Sequence, residues 1–189
     1  MKDSISFVVP VYNEERRLEL FFNKFKNIKY FCKDHTINEL IFIDDGSNDK
    51  TNSILNNYKN ENIDIKIIKT KHVGMMNAIF AGIDQATSEF IITLEADVPV
   101  TIEEIFKLIT KCNKIDYDLL VGSRYKIHKP RNVPFVRKIV SKSFLFLYNV
   151  FYKVEVSDPQ IGFKIIKKNK YKLITNKINI SYDGLKSTQ

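Results

Sequence analysis

Glu39-Leu40-Ile41-Phe42-Ile43-Asp44-Asp45-Gly46-Ser47 is an apolar run that stops abruptly at two acids, a glycine and a serine. Continuous apolar residues of this kind indicate a strand that is buried on both faces. Gly46 and Ser47 allow a tight turn after the strand, and Asp49 is placed to cap a helix just beyond it. A buried strand that leads through a short turn into a helix is the repeating unit of a parallel α/β sheet.

The same strand-then-helix unit recurs along the chain. Further strands are predicted at Ile5–Val11, Ile63–Ile68, Glu89–Leu94 and Tyr117–Val121, and helices after Asn13, from about Gly74 to Ala86 and from Thr101, where Glu104 completes a capping box. With 189 residues, of which 44% are hydrophobic, the chain suits one domain with a sizeable core. The predicted fold class is therefore α/β, a mostly parallel sheet with helices on both faces.

A second stretch, Ile91-Ile92-Thr93-Leu94-Glu95-Ala96-Asp97, ends in two carboxylates one residue apart. Because the chain turns at the end of a strand, acids at i and i+2 can converge there on one cation. Hard oxygen donors suit Mg²⁺ or Mn²⁺, which keep waters and bridge to phosphates. The alternative from this segment alone is a strand end followed by solvated acids.

Ligands of parallel α/β sheets bind beyond the carboxyl ends of the strands, so residues that follow different strands should meet at one edge. That edge collects the notable residues of four strands, most of them polar or charged: Pro10, Tyr12 and Glu14, then Asp44 and Asp45, then Glu95 and Asp97, then Arg124. Some of these acids could hydrogen-bond a base and ribose, the Glu95–Asp97 pair could hold a metal ion that binds a diphosphate, and Arg124 could neutralise its charge. Together they predict a bound nucleotide.

The net charge of +8 is concentrated in one region. Between Leu119 and Val154 there is no acidic residue, whereas Arg124, Lys126, Lys129, Arg131, Arg137, Lys138, Lys142 and Lys153 all occur there. Such a patch attracts an anion, either a phosphorylated substrate, an acidic lipid headgroup or a nucleic acid. A nucleic-acid-binding module is disfavoured because no motif of that class occurs and acids crowd the predicted ligand edge.

Several segments resemble glycosyltransferase family 2, whose members have the GT-A fold. They are Phe7-Val8-Val9-Pro10-Val11-Tyr12-Asn13-Glu14-Glu15, Ile43-Asp44-Asp45-Gly46-Ser47-Asn48-Asp49-Lys50-Thr51 and Glu95-Ala96-Asp97. Val121-Gly122-Ser123-Arg124-Tyr125 and Ser157-Asp158-Pro159-Gln160-Ile161-Gly162-Phe163-Lys164 are similar to the branch that makes dolichyl- and polyprenyl-phosphate sugars. The resemblance covers residues 4–183, nearly the whole of what is expected to be a single catalytic domain spanning residues 1–189.

The resemblance implies a division of roles along the site. Donor-binding residues would be Pro10, Tyr12, Glu14, Ile43, Asp45, Glu95, Ala96, Asp97 and Arg124, with Glu95 and Asp97 holding Mg²⁺ or Mn²⁺. Acceptor-side residues would be Arg131, Arg137, Gln160, Gly162 and Phe163, and the catalytic residues Asp97, Arg124 and Arg137. The implied donor is a GDP- or UDP-sugar.

The implied reaction is an inverting displacement at the anomeric carbon of the sugar. A polyprenyl phosphate acceptor is already anionic and needs no strong base, whereas a saccharide or protein hydroxyl needs a carboxylate, with Asp158 and Asp183 as candidates. Glu95 stands where the family usually has Asp, Pro99 where the branch often has Gln, and the chain stops at Gln189, where relatives continue. A non-catalytic subunit that binds sugar nucleotides therefore stays open as an alternative.

The segment Ser143–Tyr152 is apolar nearly all round. It is too short to span a bilayer but suits a membrane interface, with Arg137, Lys138 and Lys142 before it, or a core or dimer contact. Cys32 and Cys112 are far apart in the sequence, which disfavours a disulfide or zinc framework and fits a reducing cytosol. No leader-like apolar region opens the chain. The expected location is the cytoplasm, at the cytoplasmic face of a membrane or beside a membrane-embedded partner.

Overall fold

The computed structural model describes residues 3–26, 28, 35–97, 101–112, 117, 119–123, 135–152, 158 and 161–178. Their strands are β1 (Asp3–Val11), β2 (His35–Asp44), β3 (Asp64–Lys69), β4 (Phe90–Thr93), β5 (Leu119–Val121) and β6 (Lys164–Lys167). Their helices are α1 (Leu18–Phe25), α2 (Thr51–Asn57), α3 (Met75–Gln85), α4 (Ile102–Cys112), α5 (Phe135–Tyr152) and α6 (Lys168–Ile178). The strands form one sheet in the order β3-β2-β1-β4-β6-β5.

Four adjacent strands of this sheet are parallel. β1 pairs in parallel with β2 and with β4, and β2 pairs in parallel with β3. The predicted alternation of strands and helices around a mostly parallel sheet is confirmed. β6 was not predicted: it is antiparallel to both β4 and β5 and separates them. Its four residues have lysine at both ends, and a helix begins at the next residue, so its sequence carries little strand signal.

Helices cover both faces of the sheet because its strands are apolar on both faces. On one face Phe7, Phe42 and Ile92 pack with side chains of α1 and α4. On the other face Val8 and Ile43 pack with α3 and with Tyr171 of α6. This two-sided burial explains why the strands are continuous apolar runs and do not alternate.

One predicted helix start is confirmed by side-chain hydrogen bonds, and a second is supported by an acid that precedes the cap. The Glu104 backbone N–H donates to Thr101 Oγ1 at 3.2 Å, and the Thr101 N–H donates to Glu104 Oε2 at 2.8 Å, which is a reciprocal capping box. The cap residue of α2 is Lys50 and not the predicted Asp49, which lies one residue earlier; Asp49 Oδ1 accepts from the N–H of Thr51, the first residue of α2, at 2.9 Å. Burial would raise the pKa of Asp49, but hydrogen bonds from Thr51 and from the Glu15 N–H outweigh it and lower that pKa.

The structure corrects two details of the sequence analysis. The apolar segment Ser143–Tyr152 is the second part of α5, which has 18 residues and is about 27 Å long. Pro10 lies within β1 opposite Ile43 of β2 and does not follow the strand. Among the residues that the structure describes, no helix has the length and apolar content needed to cross a membrane.

A buried acid joins three strands and a loop at the sheet edge opposite the predicted ligand site. Glu39 of β2 accepts hydrogen bonds from Ser6 Oγ (2.5 Å), from the Thr87 N–H (2.6 Å) and hydroxyl (2.8 Å), and from Lys66 Nζ of β3. Burial by itself raises the pKa of Glu39, but these hydrogen bonds prevail and lower it to about 2. Glu39 is therefore an ionised, fully paired group inside the protein.

Candidate active site

The turns that follow β1 and β2 are joined by hydrogen bonds in both directions. The Asn13 N–H donates to Ser47 Oγ at 3.0 Å, and the Asn48 N–H donates to Asn13 Oδ1 at 2.8 Å. The Glu14 N–H donates to Thr51 Oγ1 at 2.8 Å. Asn13 has a φ of 54°, a conformation that Asn adopts more readily than most residues. The first two loops of the predicted ligand edge therefore form one rigid unit.

Asp44 and Asp45 hold loops in place. Asp44 Oδ1 accepts from the Ser47 N–H at 2.9 Å, which closes the turn around Gly46, where φ is 79°. Asp45 is buried and reaches the loop after β3, accepting from the Val73 N–H at 2.7 Å and the Gly74 N–H at 2.9 Å. The predicted contact of Asp45 with a base or ribose stays a prediction; its observed role is to position the loop before α3.

That loop carries an aromatic residue to which the sequence analysis assigned no role. His72 stacks on Tyr12 with ring centroids 4.4 Å apart and planes inclined by 33°. The His72 Nδ1 lies 3.1 Å from the Asp45 carbonyl oxygen, which fixes the ring. Both side chains are exposed, so they present an aromatic surface at the carboxyl edge. No sequence spacing pointed to His72, because its partner Tyr12 lies 60 positions earlier.

Two predicted donor-binding residues have buried side chains. Ile43 lies in the core beneath α3, where a Cβ on Gly82 would be 2.6 Å from Ile43 Cδ1. Ala96 is also buried, on the opposite face of the sheet. Any contact of these two residues with a ligand would therefore use their backbone atoms.

Glu14 is engaged by an arginine that the sequence analysis did not select. Arg17 Nη1 donates to Glu14 Oε1 and Oε2, both at 2.9 Å. The hydrogen bond with Glu14 is the largest contribution to the raised pKa of Arg17, and the charge of Asp97 adds a smaller one. Arg17 thus brings a cation from the start of α1 into the electrostatic range of Asp97.

The carboxylate pair lies where β4 ends and the chain turns outwards. Leu94 and Ala96 are buried, whereas Glu95 is partly exposed and Asp97 exposed, so both acids lie on the open side. Among the described residues, no three or more His, Cys, Asp and Glu side chains come together as a metal site. Two carboxylates supply part of an octahedral oxygen set, which fits Mg²⁺ or Mn²⁺ completed by water and phosphate oxygens.

β6 borders the carboxylate pair. Thr93 Oγ1 donates to the carbonyl oxygen of Gly162, and Phe163 is buried in the core. Lys164, which the sequence analysis did not single out as a site residue, is half-buried. Burial lowers the pKa of Lys164, and this effect outweighs the negative charges of Glu95 and the buried Asp158, which raise it. Lys164 therefore lies close to both acids.

Comparison with protein families identifies the chain. Residues 6–174 match the model described as Glycosyl transferase family 2. The chain belongs to glycosyl transferase family 2.

Curated relatives of this family 2 protein include sugar transferases whose names contain dolichol-phosphate and undecaprenyl-phosphate. A dolichol-phosphate mannosyltransferase of Pyrococcus furiosus is 30% identical over 172 residues, covering 87% of this chain and 46% of the relative. An undecaprenyl-phosphate 4-deoxy-4-formamido-L-arabinose transferase of Proteus mirabilis is 36% identical over 143 residues, covering 74% of this chain and 41% of the relative. This chain thus spans less than half the length of either relative.

Solved structures establish the fold of this family 2 protein. A mannosyltransferase from Pyrobaculum calidifontis, in complex with GDP-Man and Mn²⁺, has a TM-score of 0.63 at 15% identity and covers 92% of this chain and 47% of that one. The GT-A fold predicted from the sequence is confirmed.

Several predicted site residues of this family 2 protein are outside the structural description. Arg124, Arg131 and Gln160 are not among the described residues, and neither are Pro99 and Asp183. Arg137 lies in the first turn of α5, where the structure describes the backbone alone. The roles predicted for these residues stay predictions.

Proposed function

We propose that this chain is the catalytic domain, residues 1–189, of a metal-dependent inverting glycosyltransferase that moves a sugar from a nucleotide donor to a polyprenyl phosphate. The observation that carries this proposal is the open pair Glu95 and Asp97, at the same edge as the Tyr12–His72 aromatic surface. The names of the curated relatives support the lipid-phosphate acceptor.

The donor nucleotide would lie across the carboxyl edge of the sheet. The exposed rings of Tyr12 and His72 offer a surface on which a nucleobase can stack, and Asp45 holds this surface in position through the backbone of residues 73–74. Preorganised loops reduce the entropy that is lost when the donor binds. GDP- and UDP-sugars both fit this description.

Glu95 and Asp97 would hold Mg²⁺ or Mn²⁺, which when bound neutralises the negative charge that develops on the leaving diphosphate. Arg17 lies within the electrostatic range of Asp97, but its charge is paired with Glu14. In the reaction an acceptor oxygen forms a bond to the anomeric carbon as the bond from that carbon to the diphosphate breaks. The electron pair leaves with the nucleoside diphosphate, and the anomeric configuration inverts.

A phosphate acceptor needs no proton removed before it attacks, which agrees with the surroundings of the candidate base Asp158. Asp158 is buried, and Lys164 contributes a positive charge beside it. A buried carboxylate that already faces a cation is poorly placed to take a proton from an acceptor hydroxyl, and a phosphate acceptor requires no such step.

The exposed apolar side chains of α5 support a membrane-surface location for the acceptor. Between residues 140 and 152, whose side chains are all described, none is buried. Val140, Phe144, Leu147 and Phe151 form one exposed stripe at helical spacing, and the exposed Lys142 lies at its flank. Aromatic side chains beside a cation are typical of a helix that lies in the headgroup region.

We expect the triple substitution F144S/L147S/F151S to weaken binding to anionic lipid vesicles by about tenfold or more, because the exposed apolar stripe would no longer enter the lipid. These side chains are 44%, 52% and 77% exposed, so the fold should tolerate the change. Co-sedimentation at low salt measures the bound fraction. Leu20→Ser on α1, where the side chain is 65% exposed, is the matched control. Equal binding of the triple variant and the unaltered protein would contradict the proposal.

The activity is tested by incubating the protein with Mn²⁺ or Mg²⁺, a panel of GDP- and UDP-sugars and a polyprenyl phosphate. We expect a sugar-lipid and released nucleoside diphosphate in equal amounts, with both products dependent on the metal. Transfer to saccharides or proteins alone would exclude the lipid acceptor. Thermal stabilisation by a nucleotide sugar without turnover on any acceptor would instead indicate a non-catalytic binding subunit.

A further inference from the structure

Lys164 and Glu95 reach the same short segment of backbone from two different strands. Lys164 is the first residue of β6 and pairs with Thr93 of β4 in the antiparallel ladder. Its Nζ donates a hydrogen bond to the Ile161 carbonyl oxygen. The Glu95 side chain lies over the next residue, Gly162, where an added Cβ would be 2.6 Å from Glu95 Oε1. The ammonium group of Lys164 and the carboxylate of Glu95 therefore lie close together.

A second acid, Asp158, acts on Lys164 from the interior of the protein. Asp158 is buried, and its carbonyl oxygen accepts from the Ile161 N–H at 3.4 Å, so it belongs to the same turn that Lys164 contacts. Burial lowers the pKa of Lys164, and the charges of Glu95 and then of Asp158 oppose that effect. Lys164 thus neighbours one acid of the proposed metal pair and one acid of the interior.

The position of Lys164 makes its charge effective at the carboxylate pair. The side chain is half-buried and is tied to a backbone carbonyl oxygen, unlike that of an exposed lysine. Salt screens a partly buried charge less than an exposed one. A fixed cation repels a second cation and attracts an anion. Lys164 therefore opposes the binding of bare Mg²⁺ or Mn²⁺ beside it and favours the binding of a diphosphate.

We propose that Lys164 is a specificity-determining residue of the donor site: its charge makes the carboxylate pair select the complex of a nucleoside diphosphate with a divalent cation over the bare cation. This inference rests on the proposed metal-dependent function. The bare cation is repelled by Lys164, whereas its complex with a nucleoside diphosphate keeps a net negative charge and is attracted. The site therefore takes up the metal and the nucleotide together.

Lys164→Met tests the proposal because it removes the charge and keeps most of the side-chain length. We expect it to tighten the binding of Mn²⁺ alone by about threefold to tenfold, measured by electron paramagnetic resonance of free Mn²⁺. It should weaken the binding of GDP or UDP in EDTA by a similar factor, measured by isothermal titration calorimetry. A side chain that only held the site together would weaken both ligands when removed. Weaker binding of both, or no change in either, would overturn the proposal.

Lys164→Arg and Lys69→Met are the matched controls. The Arg variant keeps the positive charge and should bind both ligands within about twofold of the unaltered protein. If it instead behaved like Lys164→Met, charge would not be the cause. Lys69 is exposed at the end of β3, which β2 and β1 separate from β4. Three strand spacings, roughly 14 Å, exceed the Debye length of about 8 Å in physiological salt, so Lys69→Met should change neither affinity.

Lys164→Gln keeps the test decisive if the Met variant does not fold. Gln is uncharged but retains an N–H donor for the Ile161 carbonyl oxygen, so it should produce the same two opposite shifts. Failure of the proposed metal site would look different, because Asp97→Ala would then leave Mn²⁺ binding unchanged. Loss of Mn²⁺ binding in Asp97→Ala together with unchanged binding in Lys164→Gln would overturn the inference about Lys164 alone.

Discussion

Asp97→Ala is expected to lower metal-dependent sugar transfer by on the order of 10³-fold or more, because the leaving diphosphate loses its main source of charge neutralisation. Asp97 is exposed at the turn after β4, so its side chain contributes little to the core. The fold should therefore survive the substitution, and the loss should appear in turnover. Initial rates at saturating donor, measured over a range of Mn²⁺ concentrations, provide the result.

The matched control for this prediction is Asp84→Ala, which removes an exposed carboxylate from α3, away from the turn after β4. It should leave both the rate and the Mn²⁺ dependence unchanged. The Asp97 variant should also lose the stabilisation that Mn²⁺ with a nucleoside diphosphate gives to the unaltered protein in thermal unfolding. A variant that kept full metal-dependent turnover would place the cation elsewhere and refute the assigned role of the pair.

Glu39→Ala should produce the largest loss of folding stability, about 3–5 kcal/mol, because it removes the buried acceptor of several hydrogen bonds together with the ionic partner of Lys66. The Ser6 hydroxyl and the Thr87 N–H and hydroxyl would all lose their partner. Lys66 would lose its counter-charge at the same time. Urea unfolding monitored by circular dichroism gives the difference in the free energy of unfolding.

An exposed ion pair provides the control for the Glu39 substitution. Glu103 and Lys107 of α4 form a pair at 2.7 Å, and both side chains are largely exposed. Because solvent screens such pairs, Glu103→Ala should change the free energy of unfolding by less than about 1 kcal/mol. Similar effects for the two substitutions would mean that the buried network around Glu39 contributes no more than a surface pair.

The stability contributed by Glu39 should also depend on pH. The pKa of Glu39 is lowered from an ordinary value of 4.5 to about 2, so the folded state holds the ionised form more strongly than the unfolded state does. The contribution is complete above pH 4.5 and is lost as the pH falls through 2. Glu39→Gln should therefore flatten the decline in stability over this interval. An unchanged pH profile would contradict the assignment.

Local signals were enough to predict most elements of the sheet. The apolar run Leu40–Ile43 followed by Asp44-Asp45-Gly46 predicts a strand, a turn and a helix because all three depend on neighbouring residues. The capping box at Thr101 and Glu104 was equally readable, since its partners are three positions apart. By contrast, β6 was missed because pairing with β4 and β5 stabilises it as a strand. That pairing leaves no signal in the local sequence Lys164–Lys167.

The position of the candidate site at the carboxyl edge of the sheet could be predicted from the sequence, but the contacts within the site could not. The placement of Glu95 and Asp97 after β4 followed from the strand pattern, whereas the contributions of Arg17, His72 and Lys164 did not. Each of these depends on side chains from separate elements that meet only in the folded chain. The sequence also could not show that the side chain of Ile43 is buried beneath α3 rather than open to a ligand.

By itself the sequence determined the alternation of strands and helices, the GT-A architecture and the pair of acids at the end of β4. Apolar periodicity and turn chemistry act over a few residues, and the family motifs lie in the loops that these signals define. Only the tertiary structure decided that β6 inserts beside β4 and brings Gly162 against Glu95. The physical reason is register: the partner of a strand residue is set by long-range pairing and packing, which no local stretch of sequence contains.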